Sequence, residues 1–133
     1  MDENELTGRV IACFRRVYNY LGGGLPERPY VRALAYECSR NGLSVEREAP
    51  ITIYYERIEI GRYRADLLVE DRLIVEAKAC DLLPEHGRQL LTYMRCSPVE
   101  LGLLLSFGSK PRIRRFVFRN ELKPGIVTTP SAG

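Results

Sequence analysis

Two apolar runs follow one another in residues 63–78, which read YRADLLVEDRLIVEAK. Both runs are rich in Leu, Ile and Val, and the polar residues Glu70-Asp71-Arg72 separate them, which is typical of two strands joined by a tight turn. The first run carries Asp66, and the second carries Glu76 and Lys78. Because side chains alternate along a strand, Glu76 and Lys78 emerge on one face, and the hairpin brings Asp66 roughly opposite them.

The segments around this hairpin predict a mixture of helices and strands. Apolar residues at three- and four-residue steps predict helices, and β-branched or aromatic runs predict strands. The predicted helices cover 5–21, from Glu27 or Tyr30 to Arg40, and 84–94. The strands of the hairpin cover 62–70 and 73–79, and a turn over 56–61 precedes them. The further strands cover 45–55, with an interruption or bulge at Pro50, 101–107 and 113–118.

The order of these elements predicts an α/β sandwich whose sheet is partly covered by helices. Two helices come first, then three strands that form a meander, then one helix and two strands. Residues 101–107 are apolar almost throughout, which predicts a strand covered on both faces and therefore a central one.

Length and composition indicate a single globular domain. The chain has 133 residues, of which 45% are hydrophobic and 28% are charged, and this balance is too apolar for a disordered protein. We expect one domain over residues 1–123. Residues 124–133 are rich in Pro, Gly, Ser and Thr, and we expect a flexible C-terminal tail there.

Several classes of protein are excluded or disfavoured. The four cysteines are widely scattered without a CxxC pair, and a single histidine accompanies them, which excludes a zinc finger. Residues 1–5 are acidic where a signal peptide is basic, and no apolar run approaches the length of a bilayer span. We therefore expect a cytoplasmic protein with reduced thiols, no membrane partner and no organic cofactor.

The net charge of +3 and the isoelectric point near 8.7 are too mildly basic to indicate a polyanionic partner by themselves. Residues 110–119, KPRIRRFVFR, form a basic segment with interleaved apolar residues and no acid. A solvated strand face and a phosphate-contacting edge both explain this segment, and both alternatives stay open.

The carboxylates of Asp66 and Glu76, together with a backbone carbonyl such as that of Ala77, are hard oxygen ligands that Mg²⁺ or Mn²⁺ accepts. A divalent ion would let both acids stay ionised. Lys78 can orient or help to deprotonate a water and can neutralise charge on a phosphorane-like transition state. The alternative is a simple ion pair on a half-exposed sheet. The upstream acid and the apolar flanking residues favour the metal site.

This cluster resembles the bipartite D…(D/E)xK signature of the PD-(D/E)xK nuclease superfamily. Asp66 and Glu76-Ala77-Lys78 match the signature, and Ala65 stands where the name of the superfamily has Pro. Residues 24–30, GLPERPY, are similar to the GxxExxY motif that names a bacterial family within this superfamily. The likeness extends from Leu6 to Phe118. It implies a restriction-endonuclease-like three-layer sandwich, with a central mixed sheet flanked by helices.

The resemblance also implies roles for residues outside the hairpin. Glu27 matches a glutamate that completes the metal site in related nucleases such as Holliday junction resolvases, although a helix N-terminal acid favoured by the macrodipole is an equal alternative. Pro26 and Pro29 depart from the relatives and leave the orientation of Glu27 open. Gln89 and Tyr93 match a QxxxY element and share one helical face, from which they can reach phosphate or DNA.

Other polar residues have two interpretations each. Arg64 lies near Asp66 on its strand and either pairs with that acid or contacts a phosphate. Arg112 and Arg114, in the basic segment, are predicted to contact nucleic acid together with Arg64 and Tyr93. His86 either faces the same groove as Gln89 or is an exposed or capping histidine.

The resemblance therefore implies an Mg²⁺- or Mn²⁺-dependent deoxyribonuclease. Its implied catalytic residues are Asp66, Glu76, Lys78, Glu27 and Gln89, and its implied metal ligands are Asp66, Glu76, Ala77 and Glu27. The alternative is a weak or inactive nuclease-fold module that binds nucleic acid or a protein partner. DNA is the expected partner, and a homodimer is expected because a small domain often needs a second subunit to cover a duplex.

Overall fold

Three α-helices and five strands make up residues 1–125, the part of the chain that the computed structural model describes. The helices are α1 Glu3–Leu21, α2 Glu27–Arg40 and α3 Pro84–Arg95. The strands are β1 Val45–Tyr55, β2 Ile58–Val69, β3 Leu73–Lys78, β4 Leu101–Phe107 and β5 Pro111–Val117, and a short 3₁₀ turn follows at Asn120–Leu122. The predicted order of elements is confirmed. Most of the predicted flexible tail, residues 126–133, lies outside the described residues.

The five strands form one mixed sheet in the order β1-β2-β3-β4-β5. The first three strands pair antiparallel, which confirms the predicted meander. The strands β3 and β4 pair parallel because α3 carries the chain back between them, and β5 then returns antiparallel to β4. Every residue of β4 is buried, which confirms the predicted central strand.

Helices cover both faces of this sheet, which confirms the predicted three-layer α/β sandwich. The helices α1 and α2 pack on one face, where Phe14 and Leu34 belong to the same buried cluster as Val75 of β3. The helix α3 packs on the other face, where Leu90 meets Ile74. The adjacent residues Ile74 and Val75 therefore belong to different cores, as the alternation of side chains along a strand requires.

Two local predictions are wrong. Pro50 does not interrupt β1 but pairs in register with Arg64, because β1 is an edge strand, where a residue without an N–H is tolerated. The register shifts instead between Ile53 and Tyr54. The strand β2 also begins at Ile58 and not at Arg62, so the first hairpin is longer than predicted.

The described residues contain no disulfide, and their four cysteines are free, with Cys13 and Cys38 buried and Cys80 exposed. Within the same residues, no helix combines the length and the hydropathy that a bilayer span requires.

Candidate active site

The hairpin of β2 and β3 opens where its two acids lie. Backbone pairing runs from the turn up to Leu67 and Val75, and the register would next bring Asp66 opposite Glu76. At that point, hydrogen bonds to the two carboxylates replace the backbone hydrogen bonds between the strands. The N–H of Asp66 donates to Glu76 Oε2 at 2.8 Å, and the N–H of Ala77 donates to Asp66 Oδ2 at 2.8 Å. The two carboxylates therefore lie side by side, as the hairpin pattern predicts, and backbone hydrogen bonds fix both.

Burial governs the charge of this pair. Burial raises the pKa of Asp66, against the opposing effects of the Ala77 N–H and the Lys78 charge. Burial and the charge of Asp66 raise the pKa of Glu76 to about 7. Burial disfavours the ionised form of both acids, and a nearby cation stabilises that form. The carboxylate oxygens are the hard donors that Mg²⁺ and Mn²⁺ prefer. The donor set therefore fits a divalent metal ion.

Glu27 reaches the same region from the first turn of α2. Its Oε2 lies 3.5 Å from the backbone nitrogen of Ala79, and its negative charge contributes to raising the pKa of Asp66. Pro26 is the N-cap of α2 and Pro29 lies in the first turn, where a missing N–H costs no helical hydrogen bond. The two prolines are thus compatible with the approach of Glu27 to the hairpin.

Lys78 and Ala77 occupy opposite sides of β3. The side chain of Ala77 is buried in the core beneath α1 and α2, whereas Lys78 points to the face that α3 covers and stays partly exposed. Within residues 1–125, no three side chains of His, Cys, Asp or Glu are arranged as a complete metal-binding group. A metal ion would therefore need backbone or water oxygens besides Asp66 and Glu76.

The residues predicted on α3 have different surroundings from one another. Gln89 is exposed and makes no side-chain hydrogen bond with the described residues. Tyr93 stacks on Tyr63, with ring centroids 3.7 Å apart and planes inclined by 8°. His86 Nδ1 accepts a hydrogen bond from the Leu83 N–H at 3.0 Å, so the histidine caps the start of α3, which was one of its two interpretations.

Tyr63 belongs to the site, although the sequence pattern marks it only as the first residue of an apolar run. Its buried hydroxyl has no hydrogen-bond partner of good geometry among the described residues. Burial and the charge of Glu76 raise the pKa of this hydroxyl. The hydroxyl faces Glu76 as a hydrogen-bond donor of poor geometry, and it lowers the pKa of that acid against the effect of burial. A tyrosine between two arginines, three residues before the strand acid, is the signal that marks it in the sequence.

A second unpredicted residue, Glu48, lies in β1 opposite Asp66. Its φ of 51° is in the left-handed region, and the β1–β2 pairing skips it between Arg47 and Ala49. The negative charge of Glu48 contributes to raising the pKa of Asp66. Arg64 pairs with Glu48 at 3.8 Å and makes no ion pair with Asp66 in the described chain. Glu48 has no sequence signature of its own because its left-handed backbone and its position depend on the strand pairing.

Arg112 and Arg114 lie on β5, the edge strand on the other side of the sheet. The register through β4 puts Arg112 in the same row as Lys78, and Arg114 in the same row as Glu76. Both arginines are exposed, and the guanidinium of Arg114 lies 5.0 Å from the ring centroid of Phe116. They therefore share a sheet face with Lys78 but are two strands away from it.

The chain can be compared with curated proteins and with solved structures. No curated protein matches the chain. The structure is similar to that of an alkaline exonuclease (LHK-Exo) from Laribacter hongkongensis, with 20% sequence identity and a TM-score of 0.49. The similarity covers 71% of this chain but 55% of the exonuclease, so the chain spans little more than half of that enzyme.

A sequence profile of the PD-(D/E)XK nuclease superfamily matches residues 4–116. The matched region is most of the chain and contains Glu27, Asp66, Glu76 and Lys78. The chain therefore belongs to the PD-(D/E)XK nuclease superfamily.

Proposed function

We propose that this protein is an Mg²⁺- or Mn²⁺-dependent deoxyribonuclease that hydrolyses phosphodiester bonds at Asp66, Glu76 and Lys78. The observation that carries the proposal is the pair of hydrogen bonds by which Asp66 and Glu76 replace the strand ladder. These bonds hold two acids side by side at the edge of a hairpin opening, although burial disfavours their charge. Membership of the nuclease superfamily supports the same reading.

Asp66 and Glu76 would hold the metal ion, with Glu27 and the carbonyl of Ala77 as further oxygen donors. When bound, the ion would supply Lewis-acid stabilisation of the negative charge that develops on the phosphate. The hydrogen bonds from the Asp66 and Ala77 N–H groups fix the two carboxylates before substrate arrives, which reduces the cost of reorganisation during the reaction.

Lys78 provides the positive charge of the site. Its charge acts on both acids, since it lowers the pKa of each against the dominant effect of burial. From β3 the ammonium group can orient the attacking water and neutralise charge on the phosphate oxygens. We propose that Gln89 and Tyr93 of α3 contact the substrate. Further contacts to nucleic acid are proposed for Arg64, Arg112 and Arg114.

The test is cleavage of linear, nicked and branched DNA by the purified protein with Mg²⁺ or Mn²⁺, beside Asp66→Ala and Lys78→Ala. We expect both variants to lose cleavage and a chelator to abolish it in the unchanged protein. Asp71→Asn and Arg15→Ala alter exposed charges outside the site, and we expect them to cleave normally. Equal cleavage by all five proteins would mean that another site or a contaminant is responsible.

The proposal extends to features that the fold alone leaves open. The motif over 24–30 supports membership of the GxxExxY family. We also propose that the substrate is DNA and not RNA, that the protein is cytoplasmic and that it forms a homodimer. An RNA substrate in the same assay and light scattering of the purified protein test the substrate and the dimer. Binding of DNA without any cleavage would favour the alternative of an inactive nuclease-fold module.

A further inference from the structure

A cavity of about 330 Å³ lies between α2 and the hairpin of β1 and β2, beside the proposed metal site. Its wall carries three acids already described, Glu27, Glu48 and Asp66. The same wall carries three arginines to which neither the motifs nor the proposed function gives a role, Arg28, Arg32 and Arg47. Three arginines therefore share this cavity with the acids beside the proposed metal site.

The positive charges of these arginines are not used by the protein itself. Within residues 1–125, none of the three forms an ion pair, although carboxylates share the cavity with them. Glu48, the remaining acid of the wall, is paired with Arg64. Guanidinium groups that line a concave surface and have no carboxylate partner can bind phosphate through charge-assisted hydrogen bonds.

The arginines approach the cavity from two sides. Arg28 and Arg32 are one helical turn apart on α2, so their side chains project from the same side of that helix. Arg47 comes from β1, on the other side of the cavity. Positive charge is thus available on both sides of the cavity, and Asp66 and Glu27 line the same cavity.

The remaining chemistry of the wall favours a sugar-phosphate backbone over bases. Among the described residues that line the cavity, none is aromatic, so the wall offers no surface on which bases could stack. Val31 is the single aliphatic side chain of the wall. Contacts to phosphate carry no sequence information, whereas base recognition requires contacts to base edges or stacking.

We infer that this cavity binds the phosphate backbone of the DNA strand on which the hairpin site acts, with Arg28, Arg32 and Arg47 as phosphate contacts. The inference rests on the proposed function, because it needs a phosphodiester close to Asp66. It predicts binding that is independent of base sequence and that weakens steeply with salt, since each neutralised phosphate releases counterions.

The test measures binding in EDTA, where metal-dependent cleavage cannot interfere. Fluorescence anisotropy of a labelled oligonucleotide and of a second oligonucleotide of scrambled sequence is recorded over a salt series. Arg28→Gln, Arg32→Gln and Arg47→Gln are compared with Arg15→Gln, which alters an exposed arginine of α1 outside the cavity. We expect each cavity variant to weaken binding of both oligonucleotides about fivefold to tenfold at 0.1 M salt and to reduce the salt slope by about 0.7–0.9.

Arg15→Gln is expected to bind like the unchanged protein. The inference is wrong if the cavity variants retain full affinity and salt slope, if Arg15→Gln loses as much affinity as they do, or if the unchanged protein does not bind.

Cleavage in Mg²⁺ by the same proteins separates the two proposals. Normal binding and cleavage by the cavity variants would overturn the inference and leave the nuclease proposal standing. Arginine-dependent binding without cleavage by any protein would support the cavity and overturn the nuclease proposal.

Discussion

Two acids, Asp66 and Glu76, are buried next to each other at the end of the β2–β3 ladder, and their charge costs the folded state free energy. The pKa of Glu76 is raised from 4.5 to about 7, mainly by burial and then by the charge of Asp66. The folded protein therefore binds this proton more tightly than the unfolded chain does. Its stability falls as pH rises through the window from 4.5 to about 7, because the unfolded chain gives up the proton first.

Glu76→Gln removes the charge and keeps an oxygen that can accept the Asp66 N–H. We expect the free energy of unfolding at pH 8, without divalent ions, to rise by about 1–3 kcal/mol, because a shift of one pKa unit corresponds to about 1.4 kcal/mol. The gain should be much smaller near pH 5, close to the lower end of this window, where Glu76 of the unchanged protein is protonated in the folded state. Urea unfolding at both pH values measures the difference.

Glu85→Gln, at an exposed position of α3, is the matched control and should change stability little at either pH. A Glu76→Gln variant with the same gain at pH 5 and pH 8 would contradict the assignment of the cost to the charge.

Two buried tyrosine hydroxyls provide a contrast at the same scale. The Tyr63 hydroxyl is a donor beside the Glu76 carboxylate but has no hydrogen-bond partner of good geometry among the described residues, whereas the Tyr30 hydroxyl donates to the Gly22 carbonyl at 2.6 Å and accepts from the Leu25 N–H at 3.1 Å. We expect Tyr63→Phe to change the free energy of unfolding by less than about 0.5 kcal/mol and Tyr30→Phe to lower it by about 1–3 kcal/mol. Chemical denaturation measures both, and equal losses for the two variants would refute this explanation.

At the scale of elements, the end of β4 packs tightly against the segment that connects β3 to α3. A Cβ atom on Gly108 would lie 2.8 Å from the backbone nitrogen of Asp81 and 2.8 Å from the carbonyl carbon of Cys80. Asp81 also accepts hydrogen bonds from the Ser109 N–H at 3.0 Å and the Ser109 hydroxyl at 2.9 Å. This backbone contact fixes the chain immediately after Lys78 and so helps to position the end of β3.

Gly108→Ala is expected to destabilise the protein by about 1–3 kcal/mol, because two backbone segments would have to move apart. DNA cleavage should also fall, since the displaced segment follows Lys78 directly. The matched control is Gly8→Ala in the middle of α1, where a Cβ would meet nothing within 4 Å. Gly8→Ala is expected to raise stability by about 0.5–1 kcal/mol, because alanine favours a helix. Thermal unfolding of both variants checks the signs, and a neutral Gly108→Ala would mean that the contact is easily relaxed.

Elements that show a regular pattern of buried residues along the chain agree with the sequence prediction. The ends of strands, which depend on pairing with a neighbouring strand, do not. The strand β4 was correctly predicted because an unbroken apolar run requires cover on both faces. The start of β2 was missed because the turn at Glu56 and Arg57 contains no Gly, Pro or Asn, and Glu56 itself adopts a φ of 55°. Pairing with β1 imposes that conformation against the local preference of the residue.

At the scale of the whole molecule, metal binding and folding are linked. The fold brings the acids of β2, β3 and α2 into one region, so a divalent ion that binds there stabilises the folded state alone. Protons compete with the ion, because burial raises the pKa of Glu76 to about 7. Stabilisation by the metal ion should consequently increase with pH.

We expect saturating Mg²⁺ or Mn²⁺ to stabilise the folded protein by about 1–3 kcal/mol at pH 8, a rise of several degrees in the melting temperature, and by less at pH 6. Differential scanning fluorimetry with the metal ion and with EDTA measures the shift. Asp66→Asn should lose most of it. A shift that is equal in Asp66→Asn and in the unchanged protein would mean that the ion binds elsewhere.

The sequence by itself determined the order of the elements, the α/β class and the hairpin that sets Asp66 opposite Glu76, and the three layers were implied by the resemblance to the superfamily. Alternation, helical periodicity and turn length act over a few neighbouring residues, so these features can be read along the chain. Only the tertiary structure decided that Arg28 and Arg32 share a cavity with Arg47. The same is true of the stack of Tyr93 on Tyr63 and of the position of Glu48 beside Asp66. These contacts join residues from separate elements, and the distances between them are set by how helices and strands pack, which leaves no periodic signal in the sequence.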